Sequence, residues 1–150
     1  MFVDACAIVA IMTKEDTAAA YEAALDASGG AWTSALAAWE AIIVLSRPDQ
    51  FNCRYSQAER VVVEWLDARG IALREAASPR AALTQAVAVA EKYDVGKRAL
   101  SNFDCFHYAY AKAAKDSLLT LDEALRATDI ATAPTSPETR HRERQRRDPA

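Results

Sequence analysis

The sequence predicts an α/β domain with a short-stranded, mostly parallel central sheet. Short apolar β-type runs alternate with longer stretches of helical periodicity along the first 133 residues, the pattern of strand–helix–strand units. Stops fall where such units need them, at Ser28-Gly29-Gly30, Arg47-Pro48-Asp49 and Gly70. A hydrophobic share of 51% against 26% charged residues is that of an ordinary globular chain. A length of 150 residues suits one domain with a real core.

Phe2-Val3 reads as a buried first strand, and Ala5 to about Met12 as the helix after it. Asp4 stands at the turn between them. The run is too short to span a membrane, and no basic flank or cleavage site marks a signal peptide. Asp16 can cap a helix over Thr17 to Ala27, whose apolar stripe is Tyr21, Ala24 and Leu25. Ala31-Trp32-Thr33 is the second strand. Ser34 can cap a helix reaching about Ser46. Ser56 can cap the next, Gln57 to Arg69, with Ala58, Val61, Val62, Trp65 and Leu66 on one side. Ile71-Ala72-Leu73 is the third strand.

Ser78-Pro79 opens a helix with proline at its first position, continuing to about Tyr93. A loop over Asp94 to Leu100 contains Gly96, Lys97 and Arg98. A helix follows from Asn102 or Phe103 to about Lys115. Ser117-Leu118-Leu119-Thr120 is the fourth strand, Asp122 to Arg126 a short helix, and Ile130-Ala131-Thr132 a weak fifth strand. The predicted domain is therefore 1–133. From Pro134 the composition changes. Residues 134–150 carry five arginines against Glu138, Glu143 and Asp148, a charge of +2. They lack the large aliphatic residues a core needs, so they read as a disordered basic tail. Contact with RNA phosphates is the other reading of that charge.

The net charge of −3 supplies no basic field for coating nucleic acid, which does not exclude an enzyme that cuts it. Cys6, Cys53 and Cys105 are odd in number, far apart and free of any CxxC pair. They suggest neither a zinc site nor a disulfide framework, and so a reduced, cytoplasmic setting.

The chemistry is expected at four acids. Asp4, Asp104 and Asp122 stand where strands and helices meet. Glu40 shares a helix face with Leu36 and Ile43, so its carboxylate points to the interior or a cleft. Each has a bland reading: Asp4 and Asp122 as helix caps, Asp104 as a first-turn acid favoured by the helix dipole, Glu40 as half of a buried salt bridge. Together they suggest more, because a parallel sheet brings its strand ends to one rim. Carboxylates crowded there repel one another unless a hard cation such as Mg²⁺ or Mn²⁺ holds them. Such a cluster supports phosphodiester hydrolysis.

Met1-Phe2-Val3-Asp4-Ala5, then Thr33-Ser34 with Trp39-Glu40-Ala41, then Asn102-Phe103-Asp104-Cys105-Phe106-His107-Tyr108-Ala109, then Leu119-Thr120-Leu121-Asp122 resemble the motifs of PIN-domain ribonucleases. Among these, the chain is most similar to the VapC toxins of type II toxin–antitoxin pairs. The resemblance covers about residues 1–133 in order. It implies a three-layer α/β/α sandwich and a Mg²⁺- or Mn²⁺-dependent endoribonuclease. It also implies Asp4, Glu40, Asp104 and Asp122 as catalytic metal ligands, and a cognate antitoxin as inhibitor. Phe103 stands where the family often has glycine. Thr128-Asp129-Ile130 resembles a family segment near the fourth acid, so Asp129 rivals Asp122 for that position.

His107 lies one turn from Asp104 and can face the same cleft or simply pack. Ser34 can hold Asp4 or cap its helix, and Lys97 and Arg98 can meet a phosphate or water alone. Aromatic and small residues over 36–66 suit a homodimer or an antitoxin groove. Two other classes remain: a catalytically silent PIN domain that binds RNA or a partner, and a receiver-like phosphoacceptor. The latter wants an acid beside Asp4 and a lysine after the fourth strand, and the sequence has neither.

Overall fold

The computed structural model describes residues 1–135. Five two-residue strands form one sheet: β1 (Phe2–Val3), β2 (Trp32–Thr33), β3 (Ala72–Leu73), β4 (Leu118–Leu119) and β5 (Thr132–Ala133). Their order is β3-β2-β1-β4-β5, and every pairing is parallel. Among the described residues seven helices flank the sheet: α1 (Ala5–Thr13), α2 (Ala18–Asp26), α3 (Ala35–Leu45), α4 (Tyr55–Ala68), α5 (Pro79–Tyr93), α6 (Asn102–Ala113) and α7 (Glu123–Arg126). The expected α/β class with a parallel sheet is what forms. The proposed tail beyond residue 135 lies outside the described residues.

The three layers follow from the two-residue period of a strand, which sends neighbouring side chains to opposite faces. Val3 and Leu119 pack with α1 to α4, among them Ile8, Ile42, Leu45 and Val62. Phe2 and Leu118 point the other way, into a core with Val89, Leu100, Tyr108 and Leu125 from the α5 to α7 side. All four of these strand residues are fully buried. Each such side chain contributes roughly 1.5–3 kcal/mol through burial. Strands this short are held by their faces more than by their ladders.

Several element ends differ from the sequence reading by a residue or two, and three show why. Helix α4 starts at Tyr55, so Ser56 lies inside its first turn; Gln57 Oε1 accepts the Arg54 N–H at 3.0 Å and closes that end. Asp16 does not cap α2, whose N-cap position is Thr17, without a side-chain bond. The fifth strand pairs at Thr132–Ala133, one or two residues later than expected, because Leu118 and Leu119 pair in register with those residues. Ser78 and Pro79 do start α5 as expected, with Ser78 Oγ accepting the Ala81 N–H at 3.2 Å.

The chain builds β1, β2 and β3 outward in one direction, then crosses back to place β4 on the other side of β1. The β1–β4 boundary is thus the switch point of the sheet. In open α/β sheets ligands bind outside the carboxyl ends of strands at such a point.

Candidate metal centre

Asp4 is the first residue past β1 and is 3% exposed. It holds the N-cap position of α1, yet its side chain makes no capping bond. Its carboxylate turns across the switch point instead. Oδ2 accepts from Thr120 Oγ1 at 2.7 Å and from Cys6 Sγ at 2.8 Å. Thr120 is fully buried just past β4, so the bond bridges the carboxyl ends of the two strands.

Glu40 approaches from α3. Ser34 fixes the start of that helix by accepting the Ala37 N–H at 3.1 Å, which is the capping reading of Ser34. Two turns later Glu40 meets His107 of α6, with Oε2 2.6 Å from Nε2. His107 is wholly buried, and the same Nε2 lies 3.6 Å from Asp4 Oδ1. Asp4, Glu40 and His107 each bring a ligand-type atom into a group whose members lie within 4.8 Å of one another. Burial alone would depress the His107 pKa. The Glu40 hydrogen bond and the charges of Asp4, Glu40 and Asp104 outweigh it and hold that pKa above its ordinary value. Nδ1 is buried with no hydrogen-bond partner. In the charged ring Nε2–H donates to Glu40 while Nδ1–H is left without a partner, a cost set against the attraction of the two carboxylates.

Asp104 and Asp122 are outside that compact group, and each is partly committed to its own helix. Asp104 completes a capping box: its backbone N–H donates to Ser101 Oγ at 3.0 Å, and its Oδ2 accepts the Ser101 N–H at 2.6 Å. Burial raises the Asp104 pKa above the usual carboxylate value; the Ser101 hydrogen bonds oppose that, and the charges of Asp4 and Asp122 add to it. Asp104 therefore lies within electrostatic reach of both. Asp122 caps α7, its Oδ1 accepting the Leu125 N–H at 2.9 Å. Its own N–H donates to Thr120 Oγ1 at 3.1 Å, so one hydroxyl joins Asp4 to the turn that carries Asp122.

Asp129 is elsewhere. Tyr108 donates to it at 2.7 Å and Lys112 at 3.1 Å, with Lys92 at 3.9 Å. Those hydrogen bonds hold its carboxyl below the usual range. It ties α6 to the segment after α7. Lys97 and Arg98 are exposed in the loop before α6.

The sequence reading did not single out Cys6, Tyr21 or Thr120 as site residues. Thr120 had a usable signal, since it follows β4 as Asp4 follows β1. Tyr21 and Cys6 had none, being ordinary helix-stripe residues until the fold joins them. A cavity of about 940 Å³ lies at the opposite rim, lined by Met1, Gly30, Trp32, Arg74, Asp116 and Ser117. It contains none of the four acids, so its size is no guide to the chemistry.

The donor set suits a divalent cation. Two carboxylates on one rim, with Asp104 and Asp122 nearby, supply hard oxygen donors and negative charge around one buried imidazole. A search of curated proteins returned no match. A family model for the PIN domain matches residues 1–131. With that match over most of its length, and with the sheet order and rim of acids already described, the chain belongs to the PIN-domain family.

Proposed function

We propose that the chain is a Mg²⁺- or Mn²⁺-dependent endoribonuclease acting as the toxin of a toxin–antitoxin pair. PIN domains are typically metal-dependent nucleases. The observation that carries the reading here is the convergence of Asp4 and Glu40, 36 positions apart in sequence, on one buried histidine at the sheet's switch point. Asp4 and Glu40 would hold the ion, with Asp104 and Asp122 flanking it. Once bound, the ion supplies Lewis acidity, which eases deprotonation of a water and offsets charge on a phosphodiester. The protein's own groups set the stage for that. Thr120 and Cys6 fix one oxygen of Asp4, His107 orients Glu40, and Asp104 stays buried enough to favour its protonated form more than a free carboxyl does.

The proposed protein partners are a cognate antitoxin and a second copy of the chain. What supports protein partners is an apolar face beside Glu40. Trp39, Tyr55, Val63 and Leu73 are each exposed by two fifths or more, around a groove of about 380 Å³ between α3 and α4. Proteins rarely leave such a patch open to water without use. No helix among the described residues is long and apolar enough to cross a membrane.

The test is cleavage of RNA by the purified chain with Mg²⁺ or Mn²⁺, with EDTA as control. Asp4→Asn is expected to abolish cleavage while preserving the circular dichroism spectrum. Equal cleavage by this variant would refute the site. RNA retained but never cut would favour the silent binding module. Co-expression with the neighbouring reading frame tests the toxin role: rescue of growth supports it, and continued arrest argues against that partner.

A further inference from the structure

We infer that Cys6 and Tyr21 are positioning residues for Asp4: with Thr120 they form a two-armed hydrogen-bond clamp that holds Oδ2 and leaves Oδ1 facing Glu40 and His107. The inference rests on the proposal that Asp4 is a metal ligand. It follows from counting protons. Ionised Asp4 can only accept, so both neighbours of Oδ2 must donate to it: Thr120 Oγ1 at 2.7 Å and Cys6 Sγ at 2.8 Å. Each has one proton and has now used it, so the 3.2 Å approach of Cys6 Sγ to Thr120 Oγ1 is a contact without a shared proton, and each can only accept from its other neighbours.

Thr120 Oγ1 accepts the Asp122 N–H at 3.1 Å. Cys6 Sγ lies 3.3 Å from Tyr21 Oη, and the accounting makes Tyr21 the donor. Tyr21 Oη in turn accepts the Leu121 N–H at 2.8 Å. Two one-way chains therefore converge on a single carboxylate oxygen. One runs from the Asp122 amide through Thr120. The other runs from the Leu121 amide through Tyr21 and Cys6. Both begin at consecutive amides of the β4–α7 turn, so the clamp ties α1 and α2 to the turn that carries Asp122. Oδ1 takes no part in it and lies 3.6 Å from His107 Nε2. A carboxylate that must offer one oxygen to a cation is thus held by the other.

A positioning role and a merely electronic one have opposite signs. Donors withdraw charge from a carboxylate, so removing one strengthens its intrinsic pull on a cation. If orientation is what matters, removing one weakens binding. The experiment measures Mn²⁺ affinity of the full chain by electron paramagnetic resonance, without RNA, for the parent, Cys6→Ala, Cys6→Ser and Thr120→Val. Melting temperatures are taken in EDTA. Cys6→Ala and Thr120→Val are expected to weaken Mn²⁺ binding about tenfold each, the worth of one hydrogen bond to a charged group. Cys6→Ser keeps the donor and is expected to stay within about threefold of the parent. Affinity in Cys6→Ala equal to or tighter than the parent overturns the clamp, as does failure of serine to restore a loss while the two variants melt alike. A parent that binds no Mn²⁺ overturns the metal-site proposal, and the clamp's purpose with it. Should Cys6→Ala fail to fold, Tyr21→Phe removes the proton donated to sulfur and keeps the ring. It is expected to weaken binding about threefold, and unchanged binding overturns the inference.

Discussion

Replacing His107 by leucine tests the electrostatic frame of the site in the absence of metal. The imidazole is wholly buried, 2.6 Å from a Glu40 oxygen and 3.6 Å from an Asp4 oxygen. Removing one partner of a fully buried ion pair costs about 3–5 kcal/mol. The Glu40 side chain is 25% exposed, so water screens part of that interaction. A cost of about 2–3 kcal/mol near pH 6 is the expected figure, comparable to a hydrogen bond between charged groups. The sign of its pH dependence is fixed by the raised pKa of His107. A group whose pKa is higher folded than unfolded adds stability that is complete below the unfolded value, about 6.5 for histidine. That stability is lost as pH rises through the folded value. The gap between parent and variant should thus be widest at and below about pH 6 and narrow as pH rises through the raised folded value, above which only the neutral hydrogen bond remains. Urea unfolding in EDTA, followed by tryptophan fluorescence, measures both points. A gap that does not change with pH, or one below about 0.5 kcal/mol throughout, would refute the assigned charge on this ring.

Other substitutions separate structural duties from chemical ones. Asp122→Ala removes both the cap on Leu125 N–H and a rim acid, at an expected stability cost of about 1 kcal/mol. Asp122→Asn keeps a capping oxygen, so it should recover most of that stability without recovering RNA cleavage; recovery of both would show that Asp122 is only a cap. Asp129→Ala loses contacts to Tyr108 and Lys112 on a half-exposed side chain. It should cost about 1 kcal/mol or less in denaturant unfolding and leave cleavage unchanged. A cleavage defect there would reinstate Asp129 as the fourth acid.

The sheet was legible because its residues obey local rules. Phe2-Val3 and Leu118-Leu119 are apolar pairs between helical stretches, and their two-sided burial is what a central parallel strand requires. Pro79 and Gly70 mark a start and a stop by backbone geometry alone. Asp104 follows no strand, since α6 comes after α5 and a loop, but Asp4 and Asp122 were legible for the same reason, as charge placed just past the ends of β1 and β4. The division of labour among those acids was not. Asp104 and Asp122 turn part of their carboxylates to caps, although Ser101-Asn102-Phe103-Asp104 has the spacing of a capping box. Asp4 occupies a cap position and does not cap. That difference depends on Thr120, 116 positions away, and periodicity cannot reach so far. The pairing of His107 with Glu40 likewise joins helices separated by 67 positions.

The place of β1 in the middle of the sheet has a consequence for synthesis. Its two neighbours are made at very different times: β2 at Trp32–Thr33, and β4 only at Leu118–Leu119. Until that late segment leaves the ribosome, Asp4 has neither Thr120 to brace it nor Asp122 across the gap. A growing or prematurely terminated polypeptide therefore has an incomplete rim of acids around Asp4. Whatever chemistry the finished rim performs switches on at once, when nearly the whole domain has emerged.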